Sequence, residues 1–86
     1  RGLSATDVNW LAASVPADGS EVLVRIRHRA TPVPATLVIA TRDRFEVLLH
    51  EPAYAISPGQ SVVLYDAAGL VLGGGIIAAS KRVLPI

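Results

Sequence analysis

The chain has 86 residues, of which 51% are hydrophobic and 17% charged, and its net charge is +1. That length supports one small domain near the lower end of what a single core sustains. The charge balance excludes a general polyanion-binding surface, so any nucleic-acid contact has to be local.

Zero cysteines exclude disulfides, thiolate metal sites and a cysteine nucleophile. This usage fits a reducing compartment, and the expectation is a cytoplasmic protein without a membrane partner. The longest apolar stretch, VLGGGIIAA at 71–79, is too short to span a bilayer and is rich in glycine. No charged start followed by a hydrophobic run marks a secretory signal. No methionine occurs, even at position 1, and Arg1-Gly2-Leu3 carries no targeting logic, so the chain reads as a domain of something longer. Average globular domains are about 25% charged. The deficit here points to surface that neighbours normally cover.

In chain order, residues 1–19 read as a connector from a preceding domain, with 20–86 forming a β-barrel domain. Within the connector, Asp7 to Leu11 suggests a short extended segment, and Pro16-Ala17-Asp18-Gly19 is a turn signal. Trp10 reads as an apolar anchor that docks the connector onto the barrel or a neighbour. Glu21 to Arg29 alternates as a strand. Val33 to Thr41 is aliphatic and β-branched, with Pro34 near its start, where a missing N–H is tolerated. Phe45 to His50 is a third strand, and Ala53 to Ile56 a short fourth. Ser57-Pro58-Gly59-Gln60 puts Pro and Gly at the second and third positions of a type II turn. Ser61 to Tyr65 is a fifth strand, and Asp66-Ala67-Ala68-Gly69 returns the chain as Leu70 to Ala79. Six short strands without a 3.6-residue period predict an all-β fold, a small antiparallel barrel in preference to an open sandwich, because several strands are apolar on both faces. The predicted core is Val22, Val24, Ile26, Leu37, Ile39, Phe45, Val47, Leu49, Val63 and Leu72.

Signatures of chemistry are sparse. Gly73-Gly74-Gly75 lacks the GxxxxGK[ST] frame and opens no helix, so it reads as a bulge, a barrel corner or a close backbone approach. Ser57 and Ser61 lack a nucleophile elbow. His28 and His50 stand at no recognised metal spacing. His28 falls on the aliphatic face of its strand, and His50, before Glu51-Pro52, is expected to be exposed. The expectation is no catalytic residue, no metal and no cofactor in this chain.

Arg25, Arg27 and Arg29 share one face of a strand, with Val22, Val24 and Ile26 on the other. Same-face positions lie roughly 6.6 Å apart, comparable to successive phosphates of a nucleic-acid strand, and arginine suits phosphate bidentately. The alternative is a solvated face paired with Glu21, Glu46 or Glu51 across strands. From the residues alone the two stand level.

The ordered set DVNWL (7–11), VRIRHR (24–29), PVPAT (32–36), HEPAYAISPGQSVVLYD (50–66) and VLGGGII (71–77) closely resembles the C-terminal part of bacterial tRNA-specific 2-thiouridylases, a family with the older name tRNA (5-methylaminomethyl-2-thiouridylate)-methyltransferase. The chain departs from the family pattern at His28, more often aromatic, and at His50, more often acidic. The resemblance implies a six-stranded antiparallel barrel like the second domain of translation elongation factors. It also implies a parent enzyme that adenylates the wobble uridine of certain tRNAs with ATP and then delivers persulfide sulfur to C2. The family's ATP-binding loop and two catalytic cysteines belong to an N-terminal domain and have no counterpart here. The implied partners are therefore tRNA and the parent's catalytic and central domains, with a sulfur-relay protein as a further partner of the parent. Three roles compete: tRNA docking through Arg25, Arg27 and Arg29, purely structural bracing, and a barrel that holds a small ligand.

Overall fold

The protein is described here by a computed structural model, which covers residues 2–26, 31–51 and 56–81, with side chains as far as Ala79. Its strands are β1 (Gly2–Trp10), β2 (Glu21–Arg25), β3 (Val33–Ala40), β4 (Phe45–Leu49), β5 (Ser61–Tyr65) and β6 (Val71–Lys81). They close in the order β1-β4-β3-β2-β5-β6, with every neighbouring pair antiparallel. Among the described residues, every strand has a paired neighbour on both sides. No helix among the described residues is long and apolar enough to cross a membrane.

The interior is solid with side chains. Leu3, Val24, Leu37, Phe45, Val47, Val62, Leu64 and Ile77 are the largest of those fully buried. A six-stranded barrel is narrow enough for side chains to fill it without a channel. Of the predicted core, Val22, Val24, Ile26, Leu37, Phe45, Val47 and Leu49 are buried as expected.

Three predicted core residues are placed differently. Val63 is only half-buried, and β5 turns Val62 and Leu64 inward instead. Val-Val-Leu is apolar on both faces, so its alternation carries no choice of phase. Ile39 is half-buried because β3 bulges: Leu37 pairs with Val47 and Ile39 with Glu46, so Val38 is the extra residue. The bulge shifts the inward phase by one position. Leu72 packs against the core from its rim.

The largest difference lies at the start of the chain. Residues 2–10, read from the sequence as part of a connector with an extended segment at 7–11, form a nine-residue strand between β4 and β6. GLSATDVNW carries Gly, Ser, Ala, Asp and Asn, all poor strand formers in isolation. Its strand character comes from partners on both sides, and Leu3 and Ala5 are sealed inside by closure. Asp7 adopts a positive φ of 52° at the register shift between Thr6 and Asn9. The predicted strand at 53–56 falls, apart from Ile56, outside the described residues, and Ile56 packs against the core without strand structure.

The loops follow their residues. Gly59 has φ of 92°, and the Gln60 amide donates to the Ser57 carbonyl, as a type II turn requires. The Ile77 amide donates to the Gln60 carbonyl at 2.8 Å, which ties this turn to β6. Asp66 accepts from the amides of Ala68 and Leu70 and holds the β5–β6 connection.

Candidate nucleic-acid interface

Alternation along β2 sends Val22, Val24 and Ile26 inward and leaves Glu21, Leu23 and Arg25 on the outer face. Arg25 pairs with Val63 of β5, so Tyr65, two residues on, is its diagonal neighbour on the same face. Diagonal positions are within reach of long and aromatic side chains. The Arg25 Cζ lies over the Tyr65 ring, 5.2 Å from its centroid. Such a cation–π contact is worth about 0.5–1 kcal/mol at an exposed site. The contact is electrostatic and consumes no hydrogen-bond acceptor, so the guanidinium keeps N–H donors that can meet an external acceptor.

Of the acids expected to screen the arginines, Glu21 and Glu46 have other engagements. Glu21 Oε2 accepts from the Thr36 hydroxyl at 2.8 Å, and the same hydroxyl contacts His50 Nε2 at 2.7 Å. The hydroxyl has one proton, which goes to Glu21, so the imidazole N–H donates to Thr36. His50 Nε2 also lies 3.5 Å from Glu21 Oε1. This exposed chain of contacts crosses β2, β3 and the end of β4. Glu46 pairs with Arg44. Among the described residues, no carboxylate forms a salt bridge with Arg25. Arg27 and Arg29, with His28 between them, lie outside the described residues, so the structure locates Arg25 alone of the three predicted contact residues. Tyr65 was not singled out from the sequence. Its available signals were its place at the end of a strand and within the stretch HEPAYAISPGQSVVLYD.

The other sequence features take structural places. Trp10 packs against Phe45 with ring centroids 5.6 Å apart, and its Nε1 donates to the Thr41 carbonyl at 2.7 Å. It anchors β1, with no exposed ring face required. The glycine run lies inside β6, where Gly73 and Gly74 are paired with β1 on one side and β5 on the other. Its backbone is committed to those ladders and cannot cradle a phosphate. His50 is exposed, as expected. Among the described residues, no three His, Cys, Asp or Glu side chains come together as a metal would need. An open depression of about 220 Å³, lined by Glu21, Val22, Leu23, Pro34 and Ala67, falls below the size of ordinary small-molecule sites. Neither it nor the packed interior favours a ligand-holding barrel.

Residues 1–77 match the family described as the aminomethyltransferase beta-barrel domain. The tRNA-specific 2-thiouridylase MnmA of Deinococcus radiodurans is 45% identical over 86 residues, covering 98% of this chain and 22% of the relative. That of Shewanella halifaxensis is 42% identical over 81 residues, with 94% and 22% covered. That of Cupriavidus metallidurans is 41% identical over 75 residues, with 87% and 21% covered. The chain spans about a fifth of the length of these curated relatives.

Proposed function

The chain belongs to the aminomethyltransferase β-barrel domain family, and from that membership we propose that it is the C-terminal barrel of a tRNA-modifying enzyme, serving tRNA docking and interdomain packing. The relatives named tRNA-specific 2-thiouridylase support this reading. In it, 2-thiolation of the wobble uridine, with its ATP and catalytic cysteines, resides in other domains of the parent. A sulfur-relay protein would meet those domains. The barrel supplies position.

The observation that carries the docking role is Arg25, held over Tyr65 on the outer face and paired with no described carboxylate. Arg27 and Arg29 continue the same alternation in the sequence. A guanidinium in this setting contacts phosphate, and phosphate contacts fix register and orientation without reading sequence. Titration of the full-length enzyme with several tRNA substrates across a salt series tests the role. Arg25→Ala is expected to weaken all substrates alike and to lower the salt slope by about one unit. Unchanged affinity and slope for an Arg25, Arg27 and Arg29 triple alanine variant would reduce the ridge to a solvated strand face. Lower stability of the parent with an unchanged slope would assign the barrel to structural bracing.

A further inference from the structure

Large apolar side chains are unevenly distributed over the outside of the barrel. Among the described residues, those most exposed are Leu11 at 65%, Leu70 at 67%, Val38 at 45% and Val71 at 43%. Three of these four belong to one end of the barrel. Leu70 and Val71 lead into β6, and the amides of Leu11 and Ala12 both donate to the Leu72 carbonyl, at 2.9 and 3.1 Å. The chain just after β1 is thereby fastened beside the start of β6. From there an apolar row continues across the sheet through direct strand partners: Val71 with Tyr65, Tyr65 with Leu23, and Leu23 with Pro34. The open depression at Leu23, Pro34 and Ala67 ends this row. Asp66, the acid at the corner, spends its carboxylate on its own turn.

We infer that this rim and row, Leu11, Leu70, Val71, Tyr65, Leu23 and Pro34, form the surface on which an adjoining domain of the same polypeptide seats through apolar side chains. The inference rests on the proposed membership of a longer enzyme and names the face that its interdomain contact uses. Two observations choose this occupant. The curated relatives carry nearly four-fifths of their length outside the matched stretch. The chain is only 17% charged, the composition of a surface partly covered by protein and unlike the strongly basic surfaces that wrap nucleic acid.

Hydroxyl-radical footprinting of the full-length enzyme without tRNA tests the assignment, with Val38, which lies outside the row, as an internal reference. Leu11 and Leu70 are more exposed than Val38 in the barrel, so a bare rim oxidises them at least as fast as Val38. A seated domain makes both several-fold slower. In the Leu11→Glu/Leu70→Glu double variant, Tyr65 oxidation is expected to rise while Val38 stays unchanged, because the domain lifts and the barrel persists. Equal or faster oxidation of Leu11 and Leu70 in the parent overturns the inference. Protection that appears only with added tRNA overturns it in favour of an RNA-covered face. Protection that depends on enzyme concentration overturns it in favour of a second copy. A bare rim together with a salt slope lowered by Arg25→Ala would end this inference and leave the docking reading standing. The reverse pattern would separate them the other way.

Discussion

The two ladders that flank β5 and β6 are built on opposite terms. Where β6 meets β1, glycines bring the backbones so close that side chains have no room. A Cβ at Gly73 would lie 2.7 Å from the Asn9 carbonyl oxygen and 2.8 Å from the Trp10 ring, and one at Gly75 would lie 2.7 Å from the Thr6 carbonyl oxygen. Where β2 meets β5, the outer face instead carries Arg25 with its Cζ over the Tyr65 ring. Along its glycines the first ladder joins its strands by close backbone approach and carries no long outward side chain there. The second spends its outer face on a cation and a ring. In a closed barrel of this size, function is confined to outward positions where the strands leave space for long side chains.

Substitutions can break or sharpen this contrast. The largest effect is expected from the inner phase of β5. Leu64→Ala, at a fully buried site, should destabilise the chain by about 2–5 kcal/mol in urea denaturation. Val63→Ala, on the outer face beside Arg25, should change stability by less than about 1 kcal/mol. Similar losses would mean that the phase of β5 is wrong and that the β2–β5 face is not an outer one.

Next come the glycines of β6. A Cβ at Gly74 would sit 2.7 Å from the Val62 carbonyl oxygen, a backbone atom that cannot rotate away. Gly74→Ala should therefore destabilise by about 1–3 kcal/mol, the range of an overpacked site. Gly59 supplies the control. It has open space around its Cβ position and a φ of 92°, so Gly59→Ala should lose only about 1 kcal/mol, from backbone conformation alone. If the order is reversed, the glycine run serves flexibility and not close approach.

The smallest effect tests the contact itself. Tyr65→Leu removes the ring but no charge, so tRNA affinity of the parent should fall by about 0.5–1 kcal/mol with an unchanged salt slope. An effect as large as that of Arg25→Ala, with a changed slope, would show that the ring contributes more than a support.

Much of the scaffold was legible in the residues. Alternation at 21–26 separated Arg25 from Val22, Val24 and Ile26 correctly. Pro58-Gly59 identified its turn, because only glycine enters that positive-φ position without strain. The glycine run at 73–75 was readable as a bulge, a barrel corner or a close approach, and the structure shows the close approach. At the candidate site, Arg25 was visible from its period and Tyr65 was not, because the two are diagonal neighbours across a ladder and 40 positions apart in the chain.

The sequence by itself therefore determined the local terms: strand periods wherever polar and apolar residues alternate, turns wherever backbone angles demand a particular residue, and the outward placement of Arg25. Only the tertiary structure decided the rest. It placed the whole of residues 2–10 as β1 between β4 and β6, although the residues suggested only a short extended segment at 7–11. It selected Val62 and Leu64 over Val63 for the interior, and it moved Ile39 outward by a bulge opposite Glu46. It also gave Glu21 to Thr36 and His50 and left Arg25 to Tyr65. These outcomes share one physical cause. Register between strands distant in sequence is set by how the whole barrel closes, and a single-residue shift of register exchanges the two faces of a strand.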